Sequence, residues 1–554
     1  MKSMSADCNI IQRLKKAAPN DSCRAALVQA ASGAGQGQHP PDEAISFADL
    51  AERSAGYARF FLSQGLTPKD RALLLMPPGI GFYTLFLALA RIGVPVMLVD
   101  PGVGLEHFKA CTRQIRPTVF IAPPRGHLLR LRPGFSGPLR AFSPSFVPFA
   151  STLRELPLAA GPGGLPAAAG ASNAGTPFSG KLLDPVIEEN HPALITFTSG
   201  STGRPKAILR THGFLLRQGD ALAALMPAGP GEVEFCSFPV FTLANLAQGV
   251  TTLLPPAGAR RLADIAMADV LACMRRNSAT RLLASPDFCA RLCQAAERGD
   301  GSLQGLRVVH TGGGPVQLAL LDRLAALAPE AAICSLYGST EAEPIALQDH
   351  AAIPEQWRER IRAGGGLPAG RPVASICLRI LEDNAGRALP ALSREAFDAL
   401  CLPSGRAGEI VVSGSLVQKG YMNPEDDAET KIRVGDAVWH RTGDAGYCDE
   451  DGTLWLLGRC GAKIEVDAGC LYPFAVEAAA SLLPEVRRAA LVRARGKSVL
   501  AVEGDTLSDA QKAGLLQIHG ALDEVVSLSY IPVDARHNSK VLYAELRKLL
   551  ERTP

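Results

Sequence analysis

The spacing of apolar residues in the early part of the chain predicts helices and strands in alternation. From Ile45, apolar side chains recur every few residues as far as Leu62, and Gly65 ends the pattern, so we expect a helix there. The next segments predict a buried strand at 71–76, a helix at 82–90 and strands at 94–99 and 118–122. A strand, a helix and a second strand so closely spaced form a βαβ unit with parallel strands, which predicts an α/β fold.

The same scheme continues further along the chain. We expect a helix at 208–226, a strand with an aromatic turn at 234–243, and strands that run into glycine turns at 281–286 and 306–315. Residues 157–180, in contrast, are mostly Ala, Gly, Pro and Ser, which cannot bury enough apolar surface to offset the entropy of ordering. We expect this low-complexity stretch to be a surface loop inside a domain and not a domain boundary.

Length and charge narrow the class of protein. A chain of 554 residues exceeds what one hydrophobic core serves, so at least two domains are expected. A net charge of +3 is too balanced for a nucleic-acid partner. The 13 cysteines include no C-x-x-C pair, which predicts reduced thiols and a cytoplasmic location. Arg91, Gly93 and Pro95 interrupt the most apolar stretch, so no membrane span is predicted, and no secretory signal precedes it.

Residues 196–206 change abruptly from apolar side chains to hydroxyls and glycines and end in Arg, Pro and Lys. Small residues let the backbone approach an anion, hydroxyl and N–H groups donate to its oxygens, and a lysine adds positive charge. The pattern predicts a phosphate-holding loop that is not a P-loop; the alternative is a flexible polar turn. The candidate ligands are Thr198, Ser199, Gly200, Ser201, Thr202, Gly203 and Lys206.

Two further clusters follow apolar strands. The first consists of three consecutive glycines, which allow the backbone to lie close to a flat ligand, or form a tight turn without one. The second combines an aromatic ring with hydroxyls and a carboxylate, which is a ligand that Mg²⁺ accepts. The two clusters are Gly312, Gly313 and Gly314, and Tyr337, Gly338, Ser339, Thr340 and Glu341.

The loop at 196–206, the run 337–341 and an R-T-G-D run that ends at Asp444 resemble, in this order, the motifs of the adenylate-forming superfamily. That superfamily comprises acyl-CoA synthetases, luciferases and the adenylation domains of peptide synthetases. The resemblance implies a large N-terminal domain at 1–459, built of stacked βαβ sheets with a distorted barrel. It also implies a small, mobile α+β C-terminal domain at 460–554, with a hinge at about Cys460 and Gly461.

The resemblance also implies roles for single residues. The loop would hold the β- and γ-phosphates of ATP, while Tyr337 would lie against adenine. Thr340 would contact the α-phosphate and Glu341 would bind Mg²⁺. Asp444 would accept hydrogen bonds from both ribose hydroxyls, as carboxylates do in dinucleotide sites.

Three more assignments follow from the same resemblance. Arg459 would lie near the ribose or the phosphates. Lys540 would be the catalytic lysine, which acts when the small domain closes; alone, it would be read as a surface lysine before a final helix. Phe241 and Thr311 would border the acyl pocket, although an aromatic residue such as Phe241 is as often packed in a core.

Two segments depart from the usual acyl-CoA synthetase pattern. Acyl-CoA synthetases usually continue here with acidic residues and a basic, glycine-containing loop that helps the thioester step, whereas residues 460–473 read Cys-Gly-Ala-Lys-Ile-Glu-Val-Asp-Ala-Gly-Cys-Leu-Tyr-Pro. The run Arg-His-Asn-Ser-Lys at 536–540 also differs from the usual proline, glycine and lysine pattern. Both departures resemble the β-lactone synthetases of bacterial olefin biosynthesis. That branch implies adenylation of a 3-hydroxy fatty acid, followed by its closure to a β-lactone and release of AMP. ATP and Mg²⁺ are the implied cofactors, and a requirement for coenzyme A is left open.

Other functions remain open at this point. The chain could be an acyl-CoA ligase, an acyl-AMP ligase that serves a carrier protein, or a non-catalytic acyl- or nucleotide-binding homologue. The absence of a G-x-S-x-G elbow argues against a serine hydrolase. The expected partners are a small carboxylic acid and, through association, other biosynthetic enzymes.

Overall fold

The computed structural model describes residues 8–17, 23–32, 41–99, 104–131, 140–148, 150–153, 185–199, 204–229, 231–256, 262–384, 386–466, 469–534 and 540–552. They belong to two compact units, Met1–Arg260 and Arg261–Pro554. The low-complexity stretch 157–180 lies outside the described residues, and the boundary expected at residue 459 stays a prediction. Within the described ranges no helix is both long and apolar enough to cross a bilayer.

The first unit alternates short strands with helices. Its strands are β1 (Ala25–Gln29), β2 (Glu43–Ser46), β3 (Ala72–Leu74), β4 (Val96–Met97), β5 (Val119–Ile121), β6 (Arg140–Ser143), β7 (Ser151–Thr152), β8 (Pro192–Ser199), β9 (Pro205–Thr211), β10 (Val233–Cys236) and β11 (Thr251–Leu254). Its helices are α1 (Ile11–Ala17), α2 (Phe47–Ser63), α3 (Ile80–Arg91), α4 (Leu105–Ile115), α5 (His212–Leu225) and α6 (Pro239–Gln248), with a 3-10 helix at Pro124–Leu131.

One sheet of this unit has the strand order β7-β6-β5-β3-β4-β8-β9. Strands β3 to β8 pair in parallel, as the βαβ pattern predicts, and β9 runs antiparallel to β8. Strands β10, β11 and β1 also pair in parallel, and β2 closes this group antiparallel to β1. The α/β class predicted from the sequence is therefore confirmed.

Helix α3 lies at the centre of the main core of the first unit. All its residues except Gly81 are buried, including Phe82, Phe86 and Leu89. A helix that is apolar around its whole circumference must be covered on all sides, and α2 packs against it through Leu50 and Phe61. Helix α2 begins where the Ser46 hydroxyl accepts the backbone N–H of Asp49, an N-cap that satisfies an otherwise unpaired donor.

The second unit carries the remaining elements. Its strands are β12 (Arg281–Ala284), β13 (Val308–Gly312), β14 (Ala332–Ser339), β15 (Ala342–Asp349), β16 (Leu367–Pro372), β17 (Ile376–Leu381), β18 (Gly408–Gly414), β19 (Lys431–Val434), β20 (Ala437–Cys448), β21 (Leu454–Arg459), β22 (Ile464–Val466), β23 (Gly469–Leu471), β24 (Val486–Ala494), β25 (Lys497–Gly504) and β26 (Glu524–Leu528). Its helices are α7 (Met267–Arg276), α8 (Pro286–Glu297), α9 (Leu318–Leu327), α10 (Glu355–Arg362), α11 (Arg394–Leu400), α12 (Pro473–Ala480), α13 (Asp509–Leu516) and α14 (Tyr543–Arg552), with 3-10 helices at Leu262–Asp264, His350–Ala352, Pro424–Asp427 and Cys460–Ala462.

In this unit, parallel strands β12, β13 and β14 lead into an antiparallel run from β14 through β15, β16, β21, β20 and β18 to β17. Over the residues that the structure describes, these strands do not close into a barrel. The last part of the chain forms the hairpin β22–β23 and the sheet β24-β25-β26, against which α12 and α14 pack.

Two of the predicted elements are wrong in their limits. Residues 205–211 form strand β9, so the helix expected from 208 begins only at His212. The aromatic turn expected at 238–243 is the first part of helix α6, in which Pro239 occupies the first turn. Proline favours that position because its missing N–H would have no partner there.

Candidate active site

Asp444 in strand β20 lies at the centre of a polar group in the second unit. The Tyr337 hydroxyl donates to its Oδ2 at 2.8 Å, and the Arg459 guanidinium donates to its Oδ1 at 2.8 Å. Arg459 also donates to the backbone oxygen of Thr442 at 3.0 Å. The structure therefore brings together three residues that the sequence assigns to the nucleotide from three separate motifs.

The electrostatics of this group keep each partner in one protonation state. Burial and the carboxylate of Asp444 raise the pKa of the Tyr337 hydroxyl well above its usual range, so the hydroxyl keeps its proton and acts as a donor. The carboxylate also raises the pKa of Arg459. Because an ionised carboxylate offers about four acceptor positions, Asp444 can accept two further hydrogen bonds, which is what a ribose diol requires.

Glycine residues make this arrangement possible. Gly443 has a φ of +68°, and a Cβ there would lie 2.8 Å from Nη2 of Arg459. Gly312 ends strand β13, and a Cβ there would lie 2.6 Å from the backbone oxygen of Leu336 in strand β14. The packing between strands thus requires glycine at Gly312 whether or not a ligand is present, and the predicted ligand contact of Gly312, Gly313 and Gly314 stays a prediction.

Thr340 and Glu341 form the tight turn between β14 and β15, in which Ser339 pairs with Ala342. Glu341 is only 8% exposed. Its Oε1 accepts the hydroxyl of Tyr421 at 2.7 Å, and its backbone oxygen accepts the N–H of Gln418 at 2.8 Å. The turn is therefore held by the segment that precedes β19.

A buried lysine and a buried histidine complete the surroundings of Glu341. Lys431 donates to the backbone oxygen of Gln418 at 2.6 Å, and its ammonium lies 5.4 Å from the centre of the Tyr421 ring. Burial acts to raise the pKa of Glu341, but His440, Tyr421 and Lys431 act downward and outweigh it, so the pKa lies below its ordinary value. Burial lowers the pKa of His440 to about 3. The net lowering of the Glu341 pKa means that this carboxyl is ionised near pH 7.

The predicted phosphate loop belongs to the first unit. Thr198 and Ser199 end strand β8, and Lys206 lies opposite Thr198 in strand β9. Lys206 is buried. The predicted ligands Gly200, Ser201, Thr202 and Gly203 lie outside the described residues, so their role stays a prediction.

The two residues assigned to the acyl pocket are both buried. Phe241 lies in helix α6, 7% exposed, with its ring centre 5.7 Å from that of Phe238. Thr311 lies in strand β13 and is fully buried. These surroundings agree with core packing as well as with a pocket wall, and the pocket assignment stays a prediction.

Lys540 is exposed and lies just before helix α14. Its backbone N–H donates to Oδ1 of Asp534 at 2.8 Å, and its backbone oxygen accepts the N–H of Asp534 at 2.9 Å. Among the described residues, no hydrogen bond or ion pair joins its side chain to Asp444 or to Glu341. The predicted catalytic role of Lys540 therefore stays a prediction.

The sequence did not reveal the residues that support these side chains. Tyr421 and Glu341 are 80 positions apart, and nothing in their spacing indicates a contact. Arg441 of the R-T-G-D run is buried and paired with Glu409, and it also donates to the side chain of Asn384 at 2.9 Å. This pair anchors strand β20, which carries Asp444. An arginine inside the R-T-G-D run is the sequence signal that could have pointed to such an anchor.

Comparisons with known proteins agree with the motifs. The profile of the AMP-binding enzyme family matches residues 15–422. The chain is 30% identical to the olefin beta-lactone synthetase of Stenotrophomonas maltophilia (strain K279a) over 97% of both chains. It is 29% identical to the olefin beta-lactone synthetase of Xanthomonas campestris pv. campestris, over 97% of this chain and 96% of the relative.

A solved structure agrees at the level of the fold. The amide bond synthetase from Marinactinospora thermotolerans matches 98% of this chain and 99% of its own with a TM-score of 0.74, at 21% identity. Since the family profile covers most of the sequence, the chain belongs to the AMP-binding enzyme family and is an ATP-dependent, AMP-forming ligase.

Proposed function

We propose that the protein adenylates a 3-hydroxy fatty acid and then closes the acyl adenylate to a β-lactone. Adenylate formation is the reaction of its family. The observation that carries the second step is the similarity to two olefin beta-lactone synthetases along 97% of this chain. The 3-hydroxyl group is essential to this proposal, because it is the internal nucleophile that replaces an external acceptor.

In the first step a carboxylate oxygen of the acid attacks the α-phosphorus of ATP. The bond to the oxygen that bridges to the β-phosphate breaks, and pyrophosphate leaves with the electron pair. Positioning and neutralisation of charge supply most of the acceleration. We assign Lys206, with the hydroxyls of Thr198 and Ser199, to the phosphates, and Lys540 to the charge that develops on the carboxylate and the α-phosphate.

The nucleoside is assigned to the group around Asp444. The carboxylate would accept both ribose hydroxyls at the positions that Tyr337 and Arg459 leave open. The Tyr337 ring would lie against adenine, in the manner of aromatic side chains that stack on bases.

Glu341 is the residue that would hold Mg²⁺. Magnesium in nucleotide sites takes one or two carboxylates and completes its shell with phosphate oxygens and water. An ionised carboxylate whose Oε1 accepts the Tyr421 hydroxyl fits this requirement. No group of three or more His, Cys, Asp or Glu side chains that could hold a metal ion occurs among the described residues. When bound, the ion neutralises charge on the phosphates.

In the second step the 3-hydroxyl oxygen attacks the activated carbonyl carbon. The bond between this carbon and the phosphate oxygen breaks, AMP leaves, and the hydroxyl proton passes to solvent. Support for this internal closure, in place of thioester formation, comes from residues 460–473, where the sequence departs from the acyl-CoA synthetase pattern. Lys463 and Tyr472 bind the carboxylate of Asp383 at 3.1 and 2.9 Å, and strands β22 and β23 form a hairpin between them.

Mass spectrometry of the products tests the proposal. The enzyme is incubated with ATP, Mg²⁺ and either a 3-hydroxy fatty acid or the matched acid without the hydroxyl, each with and without coenzyme A. We expect AMP and a product lighter than the 3-hydroxy acid by one water, formed without coenzyme A. The matched acid should exchange pyrophosphate but yield no lactone.

Other outcomes identify other functions. A thioester and AMP release that depend on coenzyme A would replace the lactone proposal with acyl-CoA ligation. A stable acyl adenylate that passes only to a carrier protein would identify an acyl-AMP ligase. No pyrophosphate exchange with any acid of a broad panel would favour a homologue that binds acids or nucleotides without catalysis.

A further inference from the structure

Glu477 in helix α12 is a buried carboxyl that the proposed reaction does not use. It is 3% exposed. Among the described residues, no Lys, Arg or His side chain forms an ion pair with it. Its Oε1 accepts the backbone N–H of Leu491 at 2.8 Å, and the hydroxyl of Tyr543 lies 3.0 Å from Oε1 and 3.2 Å from Oε2.

This carboxyl lies at the open edge of the last sheet. Strand β24 is the outer strand in the order β24-β25-β26, so the N–H of Leu491 would lack a partner without Glu477. Alternate residues of β24 face two different cores. Leu491 packs with Val476 of α12, whereas Val492 on the opposite face packs with Leu546 of α14.

The hydrogen bond between Glu477 and the Tyr543 hydroxyl also fixes the first residue of α14. Tyr543 begins this helix, three positions after Lys540. On the other side, Lys540 exchanges two hydrogen bonds with Asp534, and Val541 forms a bridge with Val533. Lys540 therefore lies in a short stretch held at one end by Asp534 and at the other by Tyr543.

We propose that Glu477 and Tyr543 are positioning residues for Lys540: their hydrogen bond fixes the start of α14 and thereby the place of the Lys540 backbone. This inference rests on the proposed catalytic role of Lys540. Burial raises the pKa of Glu477 to about 8, so the carboxyl stays neutral near pH 7 and needs no counter-ion at this site. Small displacements of a catalytic group lower turnover strongly, which gives the contact a kinetic consequence.

The test is a double-mutant cycle on pyrophosphate exchange. Tyr543→Phe removes only the hydroxyl, and we expect kcat to fall at least about tenfold, with KM for ATP and for the acid changed less than about twofold. In the Lys540→Ala background the same substitution should cause no further loss, because it acts through Lys540. Tyr530→Phe, at an exposed tyrosine of the same region, is the matched control and should leave the kinetics unchanged.

Substitutions of Glu477 give a second, independent series. Glu477→Gln keeps a carbonyl acceptor for Leu491 and Tyr543 and should retain kcat within about twofold. Glu477→Leu removes the acceptor and should reproduce the loss caused by Tyr543→Phe. Thermal unfolding checks that each variant is folded. If Tyr543→Phe does not fold, Glu477→Gln still decides the test, because a tenfold loss of kcat in Glu477→Gln would contradict the proposal.

The outcomes separate the two proposals. If Lys540→Ala lowers exchange but Tyr543→Phe does not, or if the two losses multiply, the role of Lys540 stands and the positioning role is refuted. If Lys540→Ala leaves exchange unchanged, the catalytic assignment of Lys540 fails, and the positioning role fails with it.

Discussion

Replacing Glu477 by glutamine should change how the stability of the second unit depends on pH. Burial raises the pKa of this carboxyl from 4.5 to about 8. At 1.36 kcal/mol per pKa unit, ionising it in the folded chain costs on the order of 5 kcal/mol. Between these two pKa values the folded chain holds the proton and the unfolded chain does not. The contribution of protonated Glu477 to the free energy of unfolding is therefore complete below pH 4.5 and falls as the pH rises to about 8. Above that pH the contribution no longer changes.

The polar neighbours of Glu477 among the described residues are all uncharged, which fixes the direction in which the free energy of unfolding depends on pH. Its polar neighbours are the N–H of Leu491 on β24 and the hydroxyl of Tyr543 on α14, and both are neutral. Burial and the adjacent carboxyl raise the pKa of Tyr543 well above its usual range, so this hydroxyl does not ionise within the window. Glutamine keeps the acceptor and has no proton to lose, so its free energy of unfolding should not show this decline.

The assay is chemical denaturation of wild type and Glu477→Gln at a series of pH values from about 4 to about 9, which span the expected transition. Hydrogen exchange of α12, β24 and α14 assigns the change to this region. We expect the variant to gain stability relative to wild type as the pH rises, by up to about 5 kcal/mol. Glu545→Gln, at an exposed position of α14, is the control. Parallel pH dependences for Glu477→Gln and wild type would refute the reasoning.

Three other substitutions test the candidate site. Tyr421→Phe should raise the Mg²⁺ concentration for half-maximal pyrophosphate exchange about tenfold, because hydrogen bonds to charged groups contribute roughly 1.5–3 kcal/mol. An unchanged Mg²⁺ requirement would contradict a role of Tyr421 in supporting Glu341. Asp444→Asn should weaken ATP binding about tenfold or more in calorimetry for the same reason, and unaltered affinity would contradict the ribose assignment. Glu409→Gln leaves the buried charge of Arg441 without its partner and should lower the free energy of unfolding by roughly 3–5 kcal/mol, whereas a loss below about 1 kcal/mol, as for an exposed pair, would contradict the anchor role.

The sequence predicted the βαβ elements well because their patterns are local. Residues 82–90 lie within α3, and the strands expected beside it are β3 and β4. The prediction was wrong at residues 208–211, where the apolar spacing is that of a helix but pairing with β8 makes the segment a strand. Ile208 lies opposite Thr196 in that ladder. Tertiary pairing of this kind overrides local preference and cannot be read from a single segment.

The candidate site shows the same division. Tyr337, Asp444 and Arg459 were each found from a motif, but the hydrogen bond between Tyr337 and Asp444 joins residues 107 positions apart. The supporting contacts of Tyr421 and Lys431 with Glu341 depend equally on how strands pair. Residue type and order therefore indicated which side chains are candidates for the site, whereas the partners of these side chains became visible only in the fold.

The segment after Arg459 connects the structure to the choice between lactone closure and thioester formation. In acyl-CoA synthetases the corresponding segment moves to help the thioester step. Here Lys463 and Tyr472 both bind Asp383, whose side chain is 5% exposed. Removing the partners of a buried carboxylate is costly because the charge is left without compensation. Any movement of this segment away from Asp383, whether for a thioester step or for closure of the small domain, would break both contacts and would meet this cost.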